Sequence, residues 1–228
     1  MQQESHMAFK FEVFELFARI GHALGHPHRL AILDVLAQAP RSVESLAAEV
    51  FLSVANTSQH LRVLRSAGLV RVSQRGQRRY YELTGDDVLV LWRALLTAGE
   101  SHLADVERVV MTHLPERDTQ NMVSGWELAR YLETANVLVF DVRPKEEYQY
   151  GHVKGAWSIP LASLLQRLDD LPRDKELVVY CRGRYCVFAD EAVTILRQHG
   201  FRARRLSEGF PDWKIAGFPV GAERGGKE

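Results

Sequence analysis

Apolar residues in the first half of this chain recur three and four positions apart, whereas after residue 122 they come in short β-rich runs separated by helical stretches. A helix buries one stripe and a strand buries one or both faces, so the two patterns demand two separate cores. The 228 residues are long for one core and comfortable for two. The polar, aperiodic stretch "PERDTQNM" supplies the break. This places a first domain at residues 8–114, a linker at 115–122, a second domain at 123–221 and a disordered tail at 222–228, within "GAERGGKE". Residues 1–7 carry no weight in the division.

In the first half, Phe14, Phe17, Ile20 and Leu24 share one helix face, and Leu30, Leu33 and Leu36 continue the pattern. Pro27 suits the first turn of the second helix, where a missing N–H costs little. Ser42 can cap a helix over 43–50, and Ser53 one over 54–67 that ends at Gly68. "LVRVSQRGQRRYYEL" then alternates apolar and polar about Gly76, which predicts a β-hairpin. One long helix follows and ends before Pro115. Elements in that order make a winged helix-turn-helix. Its second paired helix would enter the major groove, bringing Asn56, Thr57, Ser58 and Gln59 to base edges and phosphates of double-stranded DNA. Net charge says nothing of this, because 29 basic residues balance 29 acidic ones. Local charge does: Arg62, Arg65, Arg71, Arg75, Arg78 and Arg79 follow one another with no acid between them. Arg75 and Arg78 flank the hairpin tip, placed to reach phosphates or a minor groove.

In the second half, "NVLVFDV", "ELVVY" and "RARRL" read as strands, and residues 126–131, 161–171 and 187–199 as helices. Ser124 and Glu127 are spaced as a capping box. Strands alternating with helices predict an α/β domain with a parallel sheet. The chain's two cysteines, Cys181 and Cys186, both lie in "YCRGRYC", between a strand and a helix. Ligands of open α/β sheets bind at such a place. N–H groups of the loop and helix start favour an anion there, and Arg182 and Arg184 add positive charge, which together favour a thiolate. Gly183 is expected to permit the tight turn that folds those N–H groups inward. A phosphate loop of the C-x5-R kind needs arginine where Val187 stands, and C-x4-C is too wide for a CxxC oxidoreductase. An inert buried cysteine would explain neither the arginines nor the placement. Two close cysteines do not make a secreted disulfide framework, and no apolar run approaches the ~20 residues of a membrane span. The expected location is the cytoplasm, with no membrane partner.

"LGHPHRLAILDVLA", "SVANTSQHLRVLRSAGLV" and "RRYYEL" resemble the ArsR family of bacterial winged-helix repressors over about residues 10–100. The resemblance implies a homodimer, formed through the first and last helices, that leaves its operator on sensing a ligand. Many members sense thiophilic metal with cysteines on the helix before the recognition helix; "VESLAAEV" has none. His22, His26 and His28 cluster at a family His-Pro helix start and are assigned a structural role. Glu100, His102, His113 and Glu116 resemble the zinc pattern of the last helix in zinc-sensing members, but lie about four turns later. His102 and His113 would share one helix face, which also carries Leu91, Leu95, Val106 and Val109. That stripe reads equally as a dimer seam, and no metal is assigned.

"FDVRPKEEYQYGHVKGAWSIP" and "EGFPDWKIAGFPV" flank the cysteine loop as they do in rhodaneses, the single-domain sulfurtransferases, over about residues 123–221. The resemblance implies that Asp141 and Arg143 brace the site and that Cys181 is catalytic. Positions Arg182, Gly183, Arg184, Tyr185 and Cys186 would then offer N–H donors to a persulfide, with Arg182 or Arg184 beside it. Cys186 departs from commoner rhodanese loops. Trp126, Trp157 and Trp213 are expected in the core. The chain thus reads as a repressor whose Cys181 takes sulfane sulfur from thiosulfate or polysulfide and passes it to a thiol, with no cofactor. Two alternatives stand beside it: a sulfurtransferase that controls its own operon without sulfur-dependent DNA release, and a zinc-responsive repressor.

Overall fold

The computed structural model describes residues 2–114, 117–134 and 137–223 and divides the chain into two compact units, residues 1–92 and 93–228. The first opens with α1 (Gln2–Leu24), α2 (Pro27–Leu36), α3 (Val43–Glu49) and α4 (Val54–Ser66). Their ends follow local chemistry. The His26 ring accepts from the His28 N–H at 3.2 Å and Pro27 takes the first helical position, so His26 is a cap. Ser42 and Ser53 cap α3 and α4 by accepting from the N–H groups of Ser45 and Asn56. Gly68, at φ 76°, ends α4 in a conformation other residues avoid. β1 (Val70–Arg75) and β2 (Arg78–Leu83) pair antiparallel with Val70 opposite Leu83, and Gly76, at φ 60°, makes the tip. Ile32, Leu33, Leu46, Leu61, Leu64, Val70 and Val88 form the core.

Two details differ from expectation. Ile20 and Leu24 pack on that core, but Phe14 and Phe17, two turns and one turn before Ile20, remain 55% and 63% exposed. The predicted long last helix is two helices: α5 (Asp86–His102), which crosses the boundary between the units, and α6 (Ala104–His113). Leu103 breaks them with φ −110° and ψ 95°. His102 and His113 therefore end separate helices.

The second unit continues with a 3-10 turn (Thr119–Asn121), α7 (Gly125–Thr134), β3 (Val137–Asp141), α8 (Lys145–Tyr150), β4 (His152–Val153) and β5 (Trp157–Ser158). The expected helix over 161–171 is α9 (Leu161–Leu164) followed by a 3-10 helix (Leu165–Asp170). Then come β6 (Glu176–Tyr180), α10 (Phe188–Gln198), β7 (Ala203–Arg205), α11 (Phe210–Ile215) and β8 (Val220–Gly221). Four strands form a parallel sheet in the order β5-β3-β6-β7, and β4 pairs antiparallel with β8. Apolar residues cover both faces, as parallel sheets require. Along β6, Leu177 and Val179 join Phe140, Leu196 and Phe201 on one side, while Val178 and Tyr180 join Val139, Phe210 and Trp213 on the other. The alternation carries on to Cys181, which falls on the side of α10.

Polar residues account for the remaining differences. Ser124 caps α7, but the Glu127 carboxylate turns to Tyr131 and Arg204, so half a capping box forms. Trp213 is buried, whereas Trp126 and Trp157 are 73% and 42% exposed. The expected tail begins inside the fold, since Gly221 pairs with His152 and the Glu223 N–H reaches the Gln149 carbonyl; residues 224–228 lie outside the described residues. The expected linker is anchored by the Asp118–Arg197 ion pair at 3.0 Å and by Arg117, while Pro115 and Glu116 lie outside the described residues.

Candidate functional site

β6 delivers Cys181 to the carboxyl end of a central strand, and the loop from Cys181 to Val187 leads into α10. Beneath the strand end lies a buried polar knot. Arg143 and Asp141 are both fully buried and paired at 2.6 Å, and Arg143 also donates to the Gly151 carbonyl. The Tyr180 hydroxyl donates to Asp141 at 2.6 Å and accepts from the Val153 N–H. Burial and the Asp141 charge hold its phenol well above the ordinary value, so it stays a donor. Asp141 and Arg143 thus fix the residue preceding Cys181. From the other side, Gly209 closes on the loop so tightly that a Cβ there would collide with the Arg182 carbonyl. Only glycine permits that approach. The next N–H, of Phe210, donates to the Cys181 carbonyl at 3.3 Å.

Cys181 is 2% exposed and Cys186 is half-buried; both are free thiols. Burial alone would push the Cys181 thiol up. A hydrogen bond from the Cys186 thiol, the charge of Arg205 and backbone hydrogen bonds of Gly183 and Ala189 outweigh it and bring Cys181 down to about 7. Cys186, donating to its neighbour and itself buried, is held far above the ordinary thiol range. Within the pair the two shifts run in opposite directions, down for Cys181 and up for Cys186.

The arginines named from the sequence are each engaged by a carboxylate. Arg182 makes a forked ion pair with the buried carboxylate of Glu147, down to 2.5 Å. Arg184 pairs with Glu100 at 2.6 Å, and the Tyr185 hydroxyl donates to the same carboxylate at 2.7 Å. Arg205 is the cation that bears on Cys181. It was legible only as part of a strand. Gly183 has no left-handed backbone angle and a Cβ there would meet open space, so the turn does not require glycine. Of the zinc pattern, Glu100 is committed to Arg184 and Tyr185, and Glu116 lies outside the described residues. Among the described residues no group of three or more His, Cys, Asp and Glu could hold a metal ion.

In the first unit, α4 presents Asn56 and Gln59 exposed, Ser58 half-buried and Arg62 exposed. Thr57 departs from expectation. It is fully buried and its hydroxyl donates to the Ser53 carbonyl at 3.0 Å, so it serves the helix and not a base edge. Arg78 and Arg79 are exposed on β2, and Arg71 pairs with Glu82. The Arg75 side chain lies outside the described residues; its backbone pairs with Arg78. Sequence reasoning missed Phe51, 93% exposed at φ 55° just before the α4 cap. No residue pattern foretells a left-handed phenylalanine.

Residues 126–216 match the rhodanese-like domain family, and residues 24–73 match a helix-turn-helix domain family. An HTH-type transcriptional regulator of Mycobacterium tuberculosis is 41% identical over 211 residues, covering 92% of each chain. A sulfurtransferase of Allochromatium vinosum is 30% identical over 97 residues, covering 42% of this chain and 89% of its own. The solution structure of a homodimeric winged helix-turn-helix DNA-binding domain from Mycobacterium bovis, a possible ArsR-family regulator, is 36% identical with a TM-score of 0.40, covering 42% of this chain and 89% of that one.

Proposed function

Because the chain belongs to the HTH-type transcriptional regulators in which an ArsR-like winged helix-turn-helix domain precedes a rhodanese-like domain, we propose that it is a homodimeric repressor that takes sulfane sulfur onto Cys181 and releases its operator in response. The observation that carries this reading is the thiol pair: Cys181, buried at the carboxyl end of the central strand β6 where the loop enters α10, with a second free thiol, Cys186, in the same loop. The Cys181 thiolate attacks the outer sulfur of thiosulfate. The new S–S bond forms as the old one breaks, and sulfite leaves with the electron pair. Backbone hydrogen bonds of Gly183 and Ala189 and the charge of Arg205 then favour the negative persulfide. A thiol acceptor then takes the outer sulfur and returns Cys181 to thiolate. Alternatively, Cys186 loses its proton and attacks the inner sulfur, giving a Cys181–Cys186 disulfide and expelling hydrosulfide.

A sulfur-dependent change needs somewhere to go. Within the second unit, Arg184 and Tyr185 from the loop both hold Glu100 of α5. A loop that closes on a persulfide or a disulfide would disturb that bridge. The exposed Phe14 and Phe17 of α1 and the apolar Leu95 and Val109 supply surfaces for the homodimer. Zinc release is the weaker alternative, because Glu100 is already engaged. Mass spectrometry of the full chain after thiosulfate should find one added sulfur on Cys181. Fluorescence anisotropy with operator DNA should then show weaker binding, and the Cys181→Ser chain should not respond. If the wild-type chain gains the sulfur and its DNA affinity stays the same, the protein is a sulfurtransferase on a regulator and not a sulfur sensor.

A further inference from the structure

Two guanidinium groups lie behind the cysteine loop, and one comes from the segment that the sequence presents as a linker. The Arg117 side chain is 7% exposed. It clasps Asp190, in the first turn of α10, through Nη2 at 2.6 Å and Nε at 3.2 Å. It also donates to the loop carbonyls of Arg184 and, at 3.4 Å, Cys186. Arg205, 5% exposed, donates to the carbonyls of Gly183 at 2.9 Å and Arg184 at 3.3 Å, and its Nε lies 3.4 Å from the same Asp190. Between them the two cations hold the carbonyls of Gly183, Arg184 and Cys186.

Those oxygens matter to the sulfur. Cys181 Sγ lies 3.8 Å from the Gly183 carbonyl oxygen and 3.7 Å from that of Cys186. A thiol can donate to them. A thiolate or persulfide is repelled by them, because the negative end of each carbonyl dipole faces it. A guanidinium hydrogen-bonded to each oxygen offsets that repulsion and stops the peptide plane from swinging. Arg205 covers Gly183 and Arg117 covers Cys186.

We propose that Arg117, outside the rhodanese-like match at 126–216, is a positioning residue of the cysteine loop that makes the Cys186 carbonyl compatible with a negative sulfur on Cys181. It rests on Cys181 acting as a thiolate and not on any response to sulfane sulfur, so it stands or falls separately from operator release. Its placement also joins the loop to the chain following α6: the Arg117 N–H donates to the Leu114 carbonyl at 3.2 Å, and the Leu114 N–H to that of Val110 at 2.8 Å.

The full-length chain tests this through the rate at which iodoacetamide alkylates Cys181 between pH 5 and pH 10, with Cys186 replaced by serine in every variant so that one thiol is read. Arg117→Ala should move the half-maximal pH upward by about one unit, about tenfold less thiolate at pH values well below both midpoints. Arg117→Lys should shift it nearly as far, since one ammonium cannot both grip Asp190 and cap two carbonyls. Asp190 keeps Arg205 in either variant, so no buried carboxylate is stranded, and a thermal melt reports any variant that fails to fold. Should alanine fail, the lysine chain carries the test alone. An unchanged profile in the folded variants overturns the proposal. A shift with alanine that lysine fully restores overturns it as well, because net charge without the fork would then suffice. A shift with both, in a chain that gains no sulfur from thiosulfate, supports Arg117 and removes the sulfur-transfer reading.

Discussion

The arginines of the two units work in opposite ways. On the DNA-reading face, Arg62, Arg65, Arg78 and Arg79 are exposed on α4 and β2. Around the cysteine loop, Arg117, Arg143 and Arg205 have side chains between 0% and 7% exposed, and each is gripped by a carboxylate and by backbone carbonyls. An exposed cation acts on a partner through space, is screened by salt and can be replaced at small cost to the fold. A buried, forked cation fixes backbone, and where it is the main cation of a buried carboxylate, as Arg143 is for Asp141, removing it strands that partner. The same residue type is thus exposed in one unit and locks backbone geometry in the other.

The largest expected effect lies in the second unit. Cys181→Ser should abolish thiosulfate:cyanide sulfurtransfer, and Cys186→Ser should retain part of it, because Cys186 assists as a hydrogen-bond donor that a hydroxyl can imitate. Equal loss in both would mean that the two thiols share the nucleophile's role. Next comes stability. Arg143→Ala leaves the fully buried Asp141 with its charge uncompensated and should cost about 3–5 kcal/mol in urea unfolding. Arg78→Ala, at an exposed position, should stay within about 0.5 kcal/mol. Similar costs for the two would erase the contrast between the units.

The contrast also explains what could be read from the residues alone. The winged helix was legible because its signals are local: Ser53 caps its own helix, Gly68 ends it, and the arginines follow one another. The three longer strands of the second unit and the place of Cys181 at a strand end were legible for the same reason. The partners of the loop arginines were not, because Glu147 lies 35 residues from Arg182 and Glu100 lies 84 from Arg184. Arg117 sat in a stretch without periodicity, and nothing local marks a side chain that anchors to Asp190, 73 residues away. The break at Leu103 escaped as well, since the residues on both sides keep a helical period.

Salt dependence of DNA binding sharpens the comparison at the next scale down. Arg78→Ala should weaken binding to every sequence and lower the slope of log affinity against log salt by about one for each phosphate no longer neutralised. Arg75→Ala should act in the same way. Gln59→Ala should leave the slope alone and change which operator bases matter, because its exposed amide on α4 can pair with base edges. Arg205→Leu, in the second unit, should leave the slope untouched. A slope that falls in the Arg205 variant as it does in the Arg78 variant would mean that the cations behind the loop also act on phosphates.

The smallest effect concerns the one residue of the recognition helix that behaves like those of the second unit. Thr57 lies between the exposed Asn56 and the half-buried Ser58, yet it is fully buried and its hydroxyl is spent on the Ser53 carbonyl one turn back. Thr57→Val keeps the branched shape and the burial and removes only that hydrogen bond. The Ser53 carbonyl also accepts from the Thr57 N–H at 2.9 Å, so it is not left without a donor. The cost should therefore be no more than about 1 kcal/mol in unfolding. Operator affinity, base preference and salt slope should all match the wild type, because the side chain faces the core of its own unit and no DNA can reach it without unfolding α4. Anisotropy titrations on the operator and on single-base variants, beside the Gln59→Ala chain, provide the comparison. A changed base preference in the Thr57→Val chain would return Thr57 to the DNA-reading set and show that α4 repacks on the duplex.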